Sequence, residues 1–182
     1  MITEVNSFNR ENKLAISKAI AALFNQSDFI PFYIQDMTIK RLIWACTEHD
    51  NNGVYRKYDG QPLWSEGALA QRLKNIQDKR PLNADLRHEH CVPRKIILEK
   101  IYSLKFKNVD AIFEILDKFC HAVIVSKDED KLLNKYRSKM QPILTDERTV
   151  QNLFARYINS SIEVNDVGGR DLTKSDFELG LD

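Results

Sequence analysis

The chain has 182 residues, with 43% hydrophobic and 29% charged residues and a formal net charge of +1. That length suits one globular domain, residues 1–182, with a sizeable core. No run approaches the roughly 18 consecutive apolar residues of a membrane span, and the start MITEVNSFNRENK is polar. Three scattered cysteines make no disulfide framework. A cytoplasmic protein without membrane attachment is expected.

Apolar residues recur at helical spacing over Glu11–Asn25, with Leu14, Ile16, Ala19, Ile20, Leu23 and Phe24 on one broad face. A second helix is expected over Ile34–Glu48, with Met37, Ile39, Leu42, Ile43 and Cys46 inward. Asn51–Trp64 is dense in turn formers and fits a short hairpin or a long loop. Ser65 starts a helix to about Asp78, burying Leu69, Leu73 and Ile76. Leu86–Val92 alternates and ends at Pro93, which suits a short strand and then a proline-started helix.

Asn108 caps the next helix, with Ile112, Ile115, Leu116 and Phe119 as its stripe. CHAVIV, Cys120–Val125, is β-branched and apolar and suits a buried strand. Ser126 then caps KDEDKLLNKYRSKM, whose first turn is acidic where the helix dipole favours it. A last helix starts at Thr145, and residues 163–182 read as an acidic, loosely ordered tail. The fold expected is mostly α with a small β element, an α+β class.

Charge is uneven along the chain. Gln71–Lys107 carries ten basic and four acidic residues, whereas Ile162–Asp182 carries two basic and six acidic. A basic middle is compatible with phosphate binding.

Chemistry concentrates in three segments. LRHEHCVPRK holds two of the four histidines around Glu89, followed by Cys91 and Pro93; then come CHAVIV and SKDEDKLLNK. Together they give strand, strand and helix, with helical sequence inserted between the strands. This order, with Glu89-His90-Cys91-Val92-Pro93 in the first strand, resembles the HNH or His-Me finger (ββα-metal) nuclease superfamily. The match covers residues 86–138 and its one sharp motif is EHxxP.

The resemblance implies a metal-dependent endonuclease of a phage-related or defence setting. His90 would be the general base, and Glu89, Asp130 and Asn134 would hold Mg2+ or Mn2+. Arg87, Arg94 and Lys95 would hold phosphates of a nucleic acid. The chemistry suits these residue types. A neutral imidazole can take a proton from water near neutral pH, and a carboxylate-held ion stabilises phosphoryl charge. Asp130 and Asn134 are four apart and share a helix face. Neighbours on a regular strand point to opposite sides, so Glu89 and His90 can act together only if the strand end is distorted.

Two alternatives stand beside this. Cys91, Cys120 and His121 could join His88 or His90 in a zinc site, although the spacing follows no standard zinc pattern. The chain could also be a non-catalytic helical protein that binds nucleic acid or an acidic partner, with the HEH cluster structural. The CxxC knuckles and the third-segment Asn and His that HNH proteins use are missing.

Overall fold

The computed structural model describes residues 9–50, 52–136, 153–169 and 172. Their architecture is α+β, a majority of helix with one small sheet. The chain groups into two units. One is helical and drawn from Asn6–Tyr55 and Val92–His121; the other carries the sheet and is drawn from Arg56–Cys91 and Ala122–Asp182.

In the helical unit, α1 (Arg10–Asn25) packs on α2 (Phe32–Glu48) and on α5 (Val109–Phe119), with α4 (Arg94–Ser103) against α2 and α5. Helix α5 carries the expected stripe, burying Ile112, Leu116 and Phe119 behind an Asn108 cap that accepts from Ala111 N–H. The stripe of α1 is rotated from the expected face. Lys13, Ile16, Ser17, Ile20 and Ala21 are buried, while Leu14 and Ala19 face solvent. A lysine and a serine hold core positions because both have partners, the lysine on α5 and the serine one turn back in α1. Lys13 Nζ donates to the Asp117 carbonyl at 3.4 Å with the Asp117 carboxylate 3.7 Å away, and Ser17 Oγ donates to the Lys13 carbonyl at 2.8 Å. Burial pulls the Lys13 ammonium below the ordinary lysine value. In α2, Ile39, Ile43 and Cys46 face inward as expected, but Met37 is exposed. Among the described residues of 52–64 no full hairpin forms, and an isolated bridge pairs His49 with Tyr55.

The sheet unit holds four strands in the order β2-β3-β1-β4: β1 (Leu63–Ser65), β2 (Leu86–His90), β3 (Ala122–Ser126) and β4 (Val164–Asp166). β2 and β3 are antiparallel, β3 and β1 parallel, and β1 and β4 antiparallel. β2 and β3 sit where alternation and β-branching placed them, within one or two residues. β1 is too short to show a period. Trp64, Ala68, Leu86, Ile124, Val167 and Leu172 form a core on one sheet face, beneath α3 (Glu66–Gln77). Full burial of Trp64 or Leu86 contributes roughly 2–3 kcal/mol each. The most buried face of α3 is partly polar, Ala68, Arg72 and Asn75; of the expected residues Leu69 packs against the core half-buried, and Leu73 and Ile76 are half-buried. Asn75 Nδ2 donates to the Leu82 and Ala84 carbonyls at 3.0 and 2.7 Å, so this polar face fastens the loop that leads into β2.

Helix α6 (Lys127–Asn134) follows β3 directly and packs on β2 and β3, which completes a ββα arrangement. Residues 137–140 of the expected helix and most of the one starting at Thr145 lie outside the described residues, apart from α7 (Ala155–Asn159). Of the acidic tail, β4 is described as extended.

Glu129 ties this unit together. Its carboxylate accepts from Ser126 N–H at 2.8 Å, closing a capping box on α6, and from Ser65 Oγ at 2.6 Å and Gly67 N–H at 3.2 Å at the start of α3. Two helix N-termini therefore share one carboxylate. A Cβ at Gly67 would lie 2.5 Å from the Glu129 carboxylate, so any other residue there displaces it. We expect Gly67→Ala to cost about 2 kcal/mol despite alanine's better helix propensity, because the carboxylate must retreat from its donors. A urea-denaturation midpoint at or above wild type would contradict this.

Candidate nucleic-acid-acting site on the ββα element

β2 is regular throughout. Leu86↔Ser126, Arg87↔Val125, His88↔Ile124, Glu89↔Val123 and His90↔Ala122 pair in unbroken register. The strand-end distortion expected from the resemblance is therefore not present. With the ladder intact, the pleat puts Leu86, His88 and His90 on one face and Arg87 and Glu89 on the other. His88 and His90 are both buried, their rings edge to face with centroids 5.8 Å apart. Glu89 and His90 do not share a side.

Glu89 points instead to a buried cation. Arg156 Nη2 of α7 donates to Glu89 Oε1 at 2.6 Å, with the arginine side chain 1% exposed and the glutamate 17%. Tyr157 beside it is fully buried. Burial raises its hydroxyl pKa well above the ordinary value, with Cys91, Glu89 and Glu129 close enough to add to the shift and Arg156 to oppose it. Sequence reading did not pick out Arg156 because 67 positions separate it from Glu89 and no local pattern joins them.

The remaining candidates are dispersed. Asp130 is half-buried and Asn134 exposed, one turn apart on α6. Arg87 is exposed and donates back to the Leu86 carbonyl at 2.7 Å. Arg94 and Lys95 belong to the helical unit, where Arg94 stacks over the Trp44 ring at 4.2 Å and Lys95 lies 3.8 Å from Glu99. Cys91 is buried in the sheet unit, whereas Cys120 and His121 belong to the helical unit. Cys120 Sγ donates to the Ile43 carbonyl at 3.5 Å, and His121 Nε2–H donates to the Asp117 carbonyl at 2.7 Å.

A divalent ion does not fit these residues as they stand. The expected first ligand, Glu89, is held by a guanidinium, and a dication on that carboxylate would meet like charge in a poorly solvated place. Among the described residues, no three His, Cys, Asp or Glu side chains group to hold a metal ion.

Cations do gather at the other end of β2. Arg80 Nη2 donates to Asp85 Oδ2 at 2.8 Å, Lys127 Nζ lies 3.9 Å from Asp85, and Lys127 N–H donates to the Asp85 carbonyl at 2.8 Å. The Arg80 hydrogen bond chiefly holds the Asp85 carboxyl below its ordinary value, and Lys127 and Arg87 add to the effect. With Asp128 on the first turn of α6 paired to Lys131 at 2.7 Å, two carboxylates face four cations where α6 begins.

His121 supplies a pH test of the helical unit. Burial lowers its pKa to about 3, and the Lys13 ammonium adds to the shift. Its Nε2–H bond to the Asp117 carbonyl opposes the shift but is outweighed, and it sets the tautomer of the neutral ring. The unfolded chain takes up this proton near pH 6.5 and the folded chain does not. Stability is therefore present above pH 6.5 and falls by up to about 1.4 kcal/mol per unit as pH drops toward 3. We expect His121→Gln, which can keep a donor to Asp117, to flatten denaturation midpoints between pH 6.5 and 4.5. Parallel profiles for the two proteins would contradict this.

No known protein family, curated protein or solved structure matches the chain. Among the described residues no helix is long and apolar enough to cross a membrane.

Proposed function

We propose that the chain is a cytoplasmic nucleic-acid-binding protein built on an HNH-like ββα element, and that its binding needs no metal. The observation that carries this is the cation cluster at the start of α6, where Arg80, Arg87, Lys127 and Lys131 outnumber the carboxylates of Asp85 and Asp128. Such a surplus attracts the phosphate backbone without reading sequence. The test is fluorescence anisotropy on duplex and single-stranded oligonucleotides in chelator over a range of salt. Three phosphate contacts predict a log–log slope of roughly −3 on duplex, and each alanine at Arg80, Arg87 or Lys127 lowers it by about one. Absence of binding at low salt, or a slope unchanged in the triple variant, would sink the proposal.

A second reading is the metal-dependent endonuclease of a phage-related or defence system. His90 would be the base, and Glu89, Asp130 and Asn134 would hold Mg2+ or Mn2+. The strand–strand–helix order, β2 paired with β3 and β3 leading straight into α6, with EHxxP beginning in β2, supports it. Plasmid nicking with Mg2+ or Mn2+ that stops in chelator and in His90→Ala would establish it over the first.

A further inference from the structure

The HNH resemblance puts a divalent ion at Glu89, and the geometry there puts an arginine. We infer that Arg156 is a built-in counter-cation that takes the ion's place and closes Glu89 to Mg2+ and Mn2+, resting on the HNH reading only for Glu89 as the ion's position.

Three observations converge on it. First, the pair is close and nearly dry: Arg156 Nη2 to Glu89 Oε1 is 2.6 Å, with the arginine 1% exposed. A buried charge persists only when paired, so each group requires the other. Second, Glu89 lies on the sheet face opposite His90, and the unbroken β2–β3 register holds it there. An ion at Glu89 would stand across the sheet from the expected base. Third, the Glu129 carboxylate of α6 is not free to join Glu89 around an ion. Glu129 commits its carboxylate to Ser65, Gly67 and Ser126, and Asn134 is exposed. A guanidinium neutralises one carboxylate and directs its donors in a plane, which suits it to a single partner. A dication at Glu89 would have to complete its shell with water, which the guanidinium seated on that carboxylate keeps out.

The experiment measures Mn2+ binding to the full chain by the electron paramagnetic resonance of free Mn2+, together with thermal midpoints in Mn2+, Mg2+ and chelator. Wild type should show no saturable binding at millimolar Mn2+ and no cation-dependent shift of its midpoint. Arg156→Gln should have a lowered midpoint that Mn2+ or Mg2+ raises, and its Mn2+ binding should vanish when Glu89→Gln is added. Glu89→Gln should destabilise wild type more than it destabilises Arg156→Gln. If Arg156→Gln fails to fold, Arg156→Lys keeps the charge and should fold while still refusing Mn2+. Saturable Mn2+ binding by wild type that Glu89→Gln abolishes would overturn the inference. So would Mn2+ binding by Arg156→Lys, or an Arg156→Gln protein indifferent to both cations. Nucleic-acid affinity is not read in this experiment, so its outcome is separate from that of the proposed function.

Discussion

Glu129→Ala is expected to lower stability by about 3 kcal/mol, because it removes a charged acceptor from several buried donors at once. Ser65 Oγ at 2.6 Å, Gly67 N–H at 3.2 Å and Ser126 N–H at 2.8 Å all converge on its two oxygens. Two of these donors are N-terminal backbone groups of α3 and α6, or of the residue that caps them, and no intrahelical partner can replace the lost acceptor. The loss is therefore larger than the ~1 kcal/mol of a single exposed cap. Glu129→Gln keeps one acceptor oxygen and should cost roughly half as much. Ser126→Ala, which removes only the cap hydroxyl, should cost about 1 kcal/mol. Urea midpoints should thus fall most in Glu129→Ala, less in Glu129→Gln and least in Ser126→Ala, an order that distinguishes a shared carboxylate from an ordinary cap. Equal effects of the three would contradict it.

The second large effect is expected at Arg72. This side chain is 2% exposed in the face of α3 that a sequence pattern assigns to leucines. Its Nη2 donates to Asp59 Oδ1 at 2.7 Å and to the Leu172 carbonyl at 3.0 Å, and its Nη1 donates to Asn83. The guanidinium lies 5.9 Å from the centre of the Trp64 ring. One side chain thus joins the loop before β1, the loop before β2 and the chain after β4. Arg72→Ala should cost about 3 kcal/mol, since it leaves a buried carbonyl and a core void together. Asp59 limits the damage, being 41% exposed and able to rehydrate. Arg72→Lys should cost nearly as much, because an ammonium cannot reach three partners in a plane. A lysine variant within about 0.5 kcal/mol of wild type, the usual range of a surface change, would show that only the charge matters.

Both positions indicate how much of this protein its sequence discloses. Local signals were legible. The Ser65, Asn108 and Ser126 caps, the α5 stripe and the alternation of β2 all lie within a few residues of their cause. The strand–strand–helix order was legible for the same reason. What was not legible is partnership across the chain. Arg72 and Lys13 pattern as surface residues, and only distant acceptors make their burial tolerable. Glu129 was readable as one acid in a helix's first turn but not as a cap for a second helix 62 residues earlier. At the candidate site, the motif gave Glu89 and His90 their positions, and the pleat of β2 parted them. Arg156, which sets the charge at Glu89, was invisible because its partner lies in a distant segment of the sequence.

That this chain binds nucleic acid without metal is tested most directly by titrating a labelled oligonucleotide with protein in chelator and in Mn2+, reading affinity and strand integrity on the same samples. Equal affinity in both conditions, a fall in affinity with salt, and intact strands throughout are the expected result. Binding or cleavage that appears only with Mn2+ and disappears in His90→Ala would contradict it.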